Sequence, residues 1–177
     1  MSKVRRVMKH SVHQFSDNFM VKRGRHLRLY PHPVLRRVAK PVREIDRGIR
    51  TLINDMGETL RACEGIGLSA PQVGVLQRVI IVDTKQGLLS LANPEIVDRR
   101  GEEEFVEGCL SLPNVRVNVL RNHTIVVRGT TAEGEEFQQE YSGVEARVVQ
   151  HAFDHLNGVL IIDHAPRRGI DNTGRLE

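Results

Sequence analysis

Two histidines four residues apart, His151 and His155, lie in the run Gln150-His151-Ala152-Phe153-Asp154-His155-Leu156-Asn157-Gly158. On an α-helix this spacing puts both imidazoles on one face, one turn apart, close enough to share a metal ion. The pattern is one residue away from H-E-x-x-H, the zinc-hydrolase helix whose Glu acts as general base. Here Ala152 occupies the second position, so the metal-binding scaffold is present and the proton-transfer group is absent. Taken alone, the pair fits either a metal site or two exposed or helix-capping histidines. A third ligand has to decide between them. A third histidine six residues beyond the pair, as in one class of zinc proteases, is excluded, because that position is Ile161 and His164 comes three residues later.

The elements that must position these groups follow from periodicity. Val144, Val148, Val149, Phe153 and Leu156 fall on one side of a helix over 143–156. Ser142 with Glu145 has the form of a capping box, and Asn157-Gly158 supplies the stop. A second helix is expected from Asp46 to Cys63, capped by Asp46, with Cys63 as a small residue on its apolar face. Between the helices the chain reads as short strands: Arg78–Asp83, Leu88–Ile96 broken near Asn93-Pro94, an alternating stretch around Val115, Val117 and Val119, and a hairpin pairing His123–Arg128 with Glu135–Tyr141. Glu102-Glu103-Glu104 reads as a solvated face, and Val159–Asp163 as a last apolar segment. Gly65, Gly67 and Gly74, with Pro71, exclude a regular element interior, and the absence of a following Lys-Ser/Thr excludes a phosphate-binding P-loop. The order predicts an α+β fold, mostly antiparallel sheets packed around the histidine helix.

The 177 residues suit a single body, read as one domain over 29–177 preceded by a basic extension over 1–28. That extension holds eight Lys/Arg against one acid, Asp17. Such an arm can touch RNA or a ribosome, or serve as an Arg-rich organelle-targeting segment. No apolar run approaches the ~18–20 residues that span a bilayer, so no membrane partner is expected. Two cysteines, Cys63 and Cys109, are too few for a disulfide framework and fit a reducing compartment such as the cytoplasm.

Three stretches in order, Gly65-Ile66-Gly67-Leu68-Ser69-Ala70-Pro71-Gln72, Glu107-Gly108-Cys109-Leu110-Ser111 and Gln150-His151-Ala152-Phe153-Asp154-His155, resemble the three motifs of the peptide deformylases. The opening Tyr30-Pro31-His32-Pro33-Val34-Leu35-Arg36 is similar to that family's start, and the resemblance covers roughly residues 28–165. It implies a divalent metal held by Cys109, His151 and His155, with Fe(II) usual and Zn, Ni or Co accepted. It implies removal of the formyl group from N-formyl-methionyl nascent peptides, with the oxyanion held by Gln72 and the Leu110 backbone N–H. The peptide would lie as an added strand on Ile66, Gly67 and Gly108, the methionine among Ile66, Val148 and Val149, and Arg116 near the substrate. The chain departs from the family at Ala152, where the general base is expected. Three readings of that departure stand: a replacement made to trap substrate, a natural binder without turnover, and slow turnover on the metal alone. Glu64 and Glu107, the carboxylates nearest the other two motifs, are the candidate substitutes. The C-terminal helix that many bacterial members carry has no counterpart pattern after Pro166.

Overall fold

The computed structural model describes residues 24–165. Its elements are a 3-10 turn Pro33–Arg36, helix α1 Arg47–Ala62, strands β1 Gly67–Ser69, β2 Val79–Thr84, β3 Gly87–Arg100, β4 Glu103–Cys109, β5 Leu112–Arg121, β6 Thr124–Thr130 and β7 Glu136–Ser142, helix α2 Gly143–Leu156, and a last 3-10 turn Ile161–His164. A further 3-10 turn, Ala70–Val73, follows β1. Five strands form one antiparallel sheet in the order β1-β2-β3-β6-β7, and β4 with β5 form a separate two-stranded sheet.

Strand β2 shows why the layers stack as they do. Its run Val79-Ile80-Ile81-Val82 is buried throughout, as expected of a strand covered on both faces. Ile80 and Val82 pack with Leu91, Ile125 and Val127 against Val149 and Leu156 of α2. Val79 and Ile81 pack with Leu52, Ile53, Met56 and Leu60 of α1. A third apolar cluster, Val34, Leu35, Cys109, Leu112, Leu160 and Ile161, joins the β4–β5 hairpin to the two flanking 3-10 turns. Helix α2 thus runs with the five-stranded sheet on one side and the hairpin reached from its other side, where Arg147 bonds the Val119 carbonyl at 2.8 Å.

Several expectations are refined. The α1 cap is Asp46, whose side chain accepts from the Ile49 N–H at 2.8 Å. The capping box at α2 does not form: the Ser142 side chain makes no cap bond, and Glu145 instead accepts from the Lys85 N–H at 2.8 Å. Cys63 is half-buried at the end of α1. Strand β3 does not stop at Asn93-Pro94 but bulges there, with its register to β6 shifting between Ala92 and Glu95. Asn93 takes φ 49°, and its amide both donates to the carbonyl and accepts from the N–H of Val42, at 2.8 Å each. Glu103 and Glu104 are exposed as expected, yet they belong to a strand. The basic extension also does not end cleanly at 28, because the Arg25 N–H bonds Thr59 Oγ1 at 2.8 Å and the Arg28 N–H bonds the Gln72 carbonyl at 2.7 Å. Its residues 1–23 lie outside the described residues.

One glycine fixes how closely β1 rests on α2. A Cβ built on Gly67 would stand 2.5 Å from Cγ1 of Val148, so the strand can touch the helix only without a side chain there. Gly67→Ala is expected to lower unfolding free energy by about 1–3 kcal/mol. Adding Val148→Ala should recover most of that loss in urea denaturation; an undiminished loss in the double variant would show that Val148 is not the obstacle.

Candidate metal centre

Cys109 ends β4, just past a register break between Gly108 and Cys109, and this break turns its thiol toward α2. One turn of α2 presents His151 and His155, with ring centroids 5.1 Å apart. Cys109 Sγ lies 3.2 Å from His155 Nε2, and the ligand atoms of all three residues fall within 4.8 Å of one another. A tetrahedral ion with bonds of ~2.0–2.3 Å sets its ligand atoms about 3.3–3.6 Å apart, so the group can close on one ion with small movements. One thiolate and two imidazoles form a mixed donor set that suits borderline divalent metals. The residues present fit the ion that the motifs imply.

A buried carboxylate holds this arrangement. Glu107 accepts from Arg121 Nε at 2.6 Å and Nη2 at 2.9 Å, from Arg147 Nη1 at 2.9 Å, and from His151 Nδ1 at 3.0 Å. The bond to Nδ1 leaves Nε2 of His151 for the metal, the usual way a carboxylate orients a ligating imidazole. Burial would raise the Glu107 pKa, but His151 and Arg121 outweigh it and hold the carboxyl at about 2. Burial would likewise lower His151, yet Cys109 and Glu107 raise it to about 9. The Cys109 thiol, which burial alone would raise, is brought down to about 5 by His151 and His155. The pairing thus favours the thiolate on Cys109 and the protonated ring on His151, and binding of a metal at these ligands would release protons.

The amide of Gln72 is fixed by its oxygen. Gln72 Oε1 accepts from the Ser69 N–H at 2.9 Å and from Ser69 Oγ at 3.0 Å. Its Nε2 then points the other way, 3.2 Å from Ser111 Oγ and 3.7 Å from Cys109 Sγ. The Ser111 carbonyl is bonded in turn by the Tyr30 N–H at 2.8 Å, so the opening segment clasps both loops of the centre. Leu110, half-buried, packs over Gly65. Ile66 is half-buried, and its carbonyl accepts from the Asp83 N–H at 2.8 Å. Arg116 pairs across from Gly108 and lays its guanidinium over that glycine.

Two expectations change. Val149 is fully buried in the core beside Ile80 and Leu156, so no ligand can touch it without core movement; Val148, half-buried on Gly67, remains at the surface of the site. Glu107 is no substitute base, because four donor contacts engage its oxygens and its pKa is held near 2. Asp154 is committed as well, to Arg121 at 2.8 Å and His164 at 2.9 Å. Glu64 is exposed in the turn after α1 at φ 50°. Ala152 is buried with Val149 and Leu156, about 60° around the helix from His155 at ~100° per residue. Sequence reasoning missed Arg121, Arg147, Ser69 and Ser111. An arginine set among the apolar residues Val144, Ala146, Val148 and Val149 was the available signal for Arg147.

A family model described as polypeptide deformylase matches residues 25–170. The chain belongs to that family. It is 45% identical over 133 residues to the peptide deformylase of Carboxydothermus hydrogenoformans, covering 75% of this chain and 88% of that protein. To the peptide deformylase of Halothermothrix orenii it is 48% identical over 139 residues, covering 77% and 90%. Among solved structures, the Thermotoga maritima peptide deformylase superposes with a TM-score of 0.78 at 43% identity, covering 80% of this chain and 97% of that one. A Synechococcus elongatus peptide deformylase in complex with actinonin gives a TM-score of 0.80 at 36% identity, covering 88% and 86%. Against these deformylases the α+β fold expected for the chain is borne out.

Glu107→Gln keeps the size and removes the charge. Metal affinity, read by competition with a chelator, should fall ~10–100-fold. The sign of the acid response also follows. A carboxyl held at about 2 when folded and at 4.5 when free adds stability above pH 4.5, which is lost as pH falls toward about 2. The metal-free variant should lack that part of the acid transition; an identical acid-unfolding curve would contradict the role.

Proposed function

We propose that this chain binds N-formyl-methionyl peptides at the Cys109–His151–His155 centre and removes the formyl group slowly. The observation that carries the reading is the closed ligand set beside an amide, Gln72, whose N–H face is turned to the thiolate. A divalent ion held there supplies Lewis-acid polarisation of the carbonyl and activation of water. Fe(II) is the ion we favour from the family resemblance, with Zn, Ni or Co able to replace it in this donor set.

The chain's own residues take the remaining roles. Gln72 Nε2 and the Leu110 backbone N–H donate to the carbonyl oxygen as it gains charge, and Ser69 keeps the amide from flipping. The open edge of β1, at Ile66 and Gly67, and the turn at Gly108 receive the peptide as an added strand. Ile66 and Val148 border the methionine side chain, and Arg116 stands at the peptide's exit over Gly108. At Ala152 no group accepts the proton of the attacking water or returns it to the leaving amine, and that makes turnover slow. The reducing chemistry of a free thiolate ligand supports a cytoplasmic setting, with an organelle as the alternative if residues 1–28 act as a targeting segment. Among the described residues no helix is long and apolar enough to cross a membrane. A ribosome or RNA contact through the basic extension is compatible with this reading.

The test is turnover of a formyl-Met-Ala-Ser peptide by the metal-loaded protein. Ala152→Glu should raise kcat by ~10²-fold or more with peptide affinity nearly unchanged. Equal rates in the two proteins would place the proton transfer elsewhere. In the Ala152→Glu background, Gln72→Ala should lower kcat by ~10²–10³. A change confined to KM would instead make Gln72 a shaping residue of the loop.

A further inference from the structure

Charge is divided sharply along the chain. Residues 1–50 hold fourteen Lys/Arg and three Asp/Glu, whereas residues 51–177 hold twelve and nineteen. The described part of the basic half includes the stretch Arg36-Arg37-Val38-Ala39-Lys40-Pro41-Val42-Arg43, which is pinned to the body at regular points. The Ala39 N–H bonds the Leu156 carbonyl at 2.8 Å, Lys40 bonds the Leu76 carbonyl at 3.0 Å and bridges Gln77, and Val42 is held on both sides by the Asn93 amide. Ala39 and Val42 are buried, and Arg37, Lys40 and Arg43 between and beyond them face solvent.

Among the described residues Arg28, Arg37, Lys40, Arg43 and Arg47 make no ion pair, whereas Arg61 is matched to Glu58, Lys85 to Glu145, Arg100 to Asp98 and Glu140, and Arg128 to Glu95; Arg50, Arg99 and Arg116, also exposed, bond only backbone carbonyls. Arg28 extends the row from the other side of the loop after Gln72, its Nε 2.9 Å from where a Cβ on Gly74 would stand. Arg43 and Arg50 share with Glu44 the walls of a cavity of about 340 Å³.

We infer that this anchored row, Arg37, Lys40 and Arg43 with Arg28 and Arg47 beside it, is a docking surface for the phosphate backbone of RNA. Arg37, Lys40 and Arg43 are spaced three residues apart in an extended stretch, up to ~10 Å between Cα atoms, and being held by backbone bonds they lose little freedom on meeting a polyanion. Unpaired cations in a row bind phosphates by releasing counterions and need no base contact. The surface offers one exposed apolar side chain, Val38, where a membrane-inserting face would carry a band of them. The choice of RNA rests on the reading above, since nascent chains are presented by an RNA-rich particle, but binding itself requires neither metal nor turnover.

The test uses the full chain, with and without metal, and a fluorescently labelled 20-base-pair RNA duplex in two unrelated sequences. Both duplexes should bind equally. The charge-reversed variant Arg37→Glu/Lys40→Glu/Arg43→Glu should weaken binding at least about tenfold and reduce the salt slope of log K by about three. The comparator Arg61→Glu/Arg100→Glu/Arg128→Glu changes net charge by the same amount at carboxylate-paired positions and should weaken binding far less. Equal weakening by the two sets, or no change on reversing the row, would overturn the proposal, as would tighter binding to vesicles containing phosphatidylserine than to RNA. Arg37→Gln/Lys40→Gln/Arg43→Gln serves where charge reversal impairs folding, and its slope should fall by the same amount. Deformylation is scored separately, so a protein that binds RNA without turnover upholds this inference while failing the earlier one.

Discussion

The carboxylate of Glu107 is a full charge placed where water does not reach, and the centre is built around the need to compensate it. Two arginines and one histidine converge on its oxygens. They come from two elements, Arg121 from β5 and Arg147 and His151 from α2, so satisfying one charge ties the two-stranded sheet to the helix. A buried pair broken by loss of one partner costs about 3–5 kcal/mol, because the survivor stays charged and dry. The metal ligands inherit this rigidity. His151 cannot turn without abandoning Glu107, and Cys109 lies two residues along the same strand as Glu107.

The network continues outward in one direction. Arg121 also reaches Asp154, and Asp154 holds His164 in the last 3-10 turn. Arg36 meets Asp163 from the first 3-10 turn. The two ends of the described chain are thereby locked against the centre, and the apolar cluster of Leu35, Leu112, Leu160 and Ile161 fills the space beneath. On the opposite side the constraint is steric. Gly67 lets β1 rest on Val148, and Gly108 leaves room for the Arg116 guanidinium.

Ala152 sits in this scaffold without disturbing it. Alanine is a strong helix former, and at 152 its methyl packs with Val149 and Leu156 without leaving a polar group unsatisfied. The ligand set, the oriented amide and the open strand edge do not depend on it. The geometry of the centre is therefore separate from the side chain at 152. The same separation applies to the cationic row over 37–43, which is anchored through Ala39 and Val42 rather than through the metal centre.

The sequence by itself determined what short-range physics controls. Helical spacing placed His151 and His155 on one face, Asp46 marked the start of α1, and the apolar run within Arg78–Asp83 announced a strand. The resemblance carried by three motifs in order pointed to Cys109 as the third candidate ligand, and the fold brings it to both histidines. Only the tertiary structure decided which carboxylates were free. Glu107 and Asp154 look alike as letters, and so does Glu64; their roles depend on which cations fold against them, and Arg121 and Arg147 lie 14 and 40 residues from Glu107 along the chain. Val149 and Val148 are neighbours in sequence, but helix rotation of ~100° sends one into the core and leaves the other at the site. The capping box of Ser142 and Glu145 did not form, and Glu145 accepts instead from a distant backbone N–H, that of Lys85. Each of these outcomes is a long-range partnership, and a linear pattern carries no term for partners that only folding brings within 3 Å.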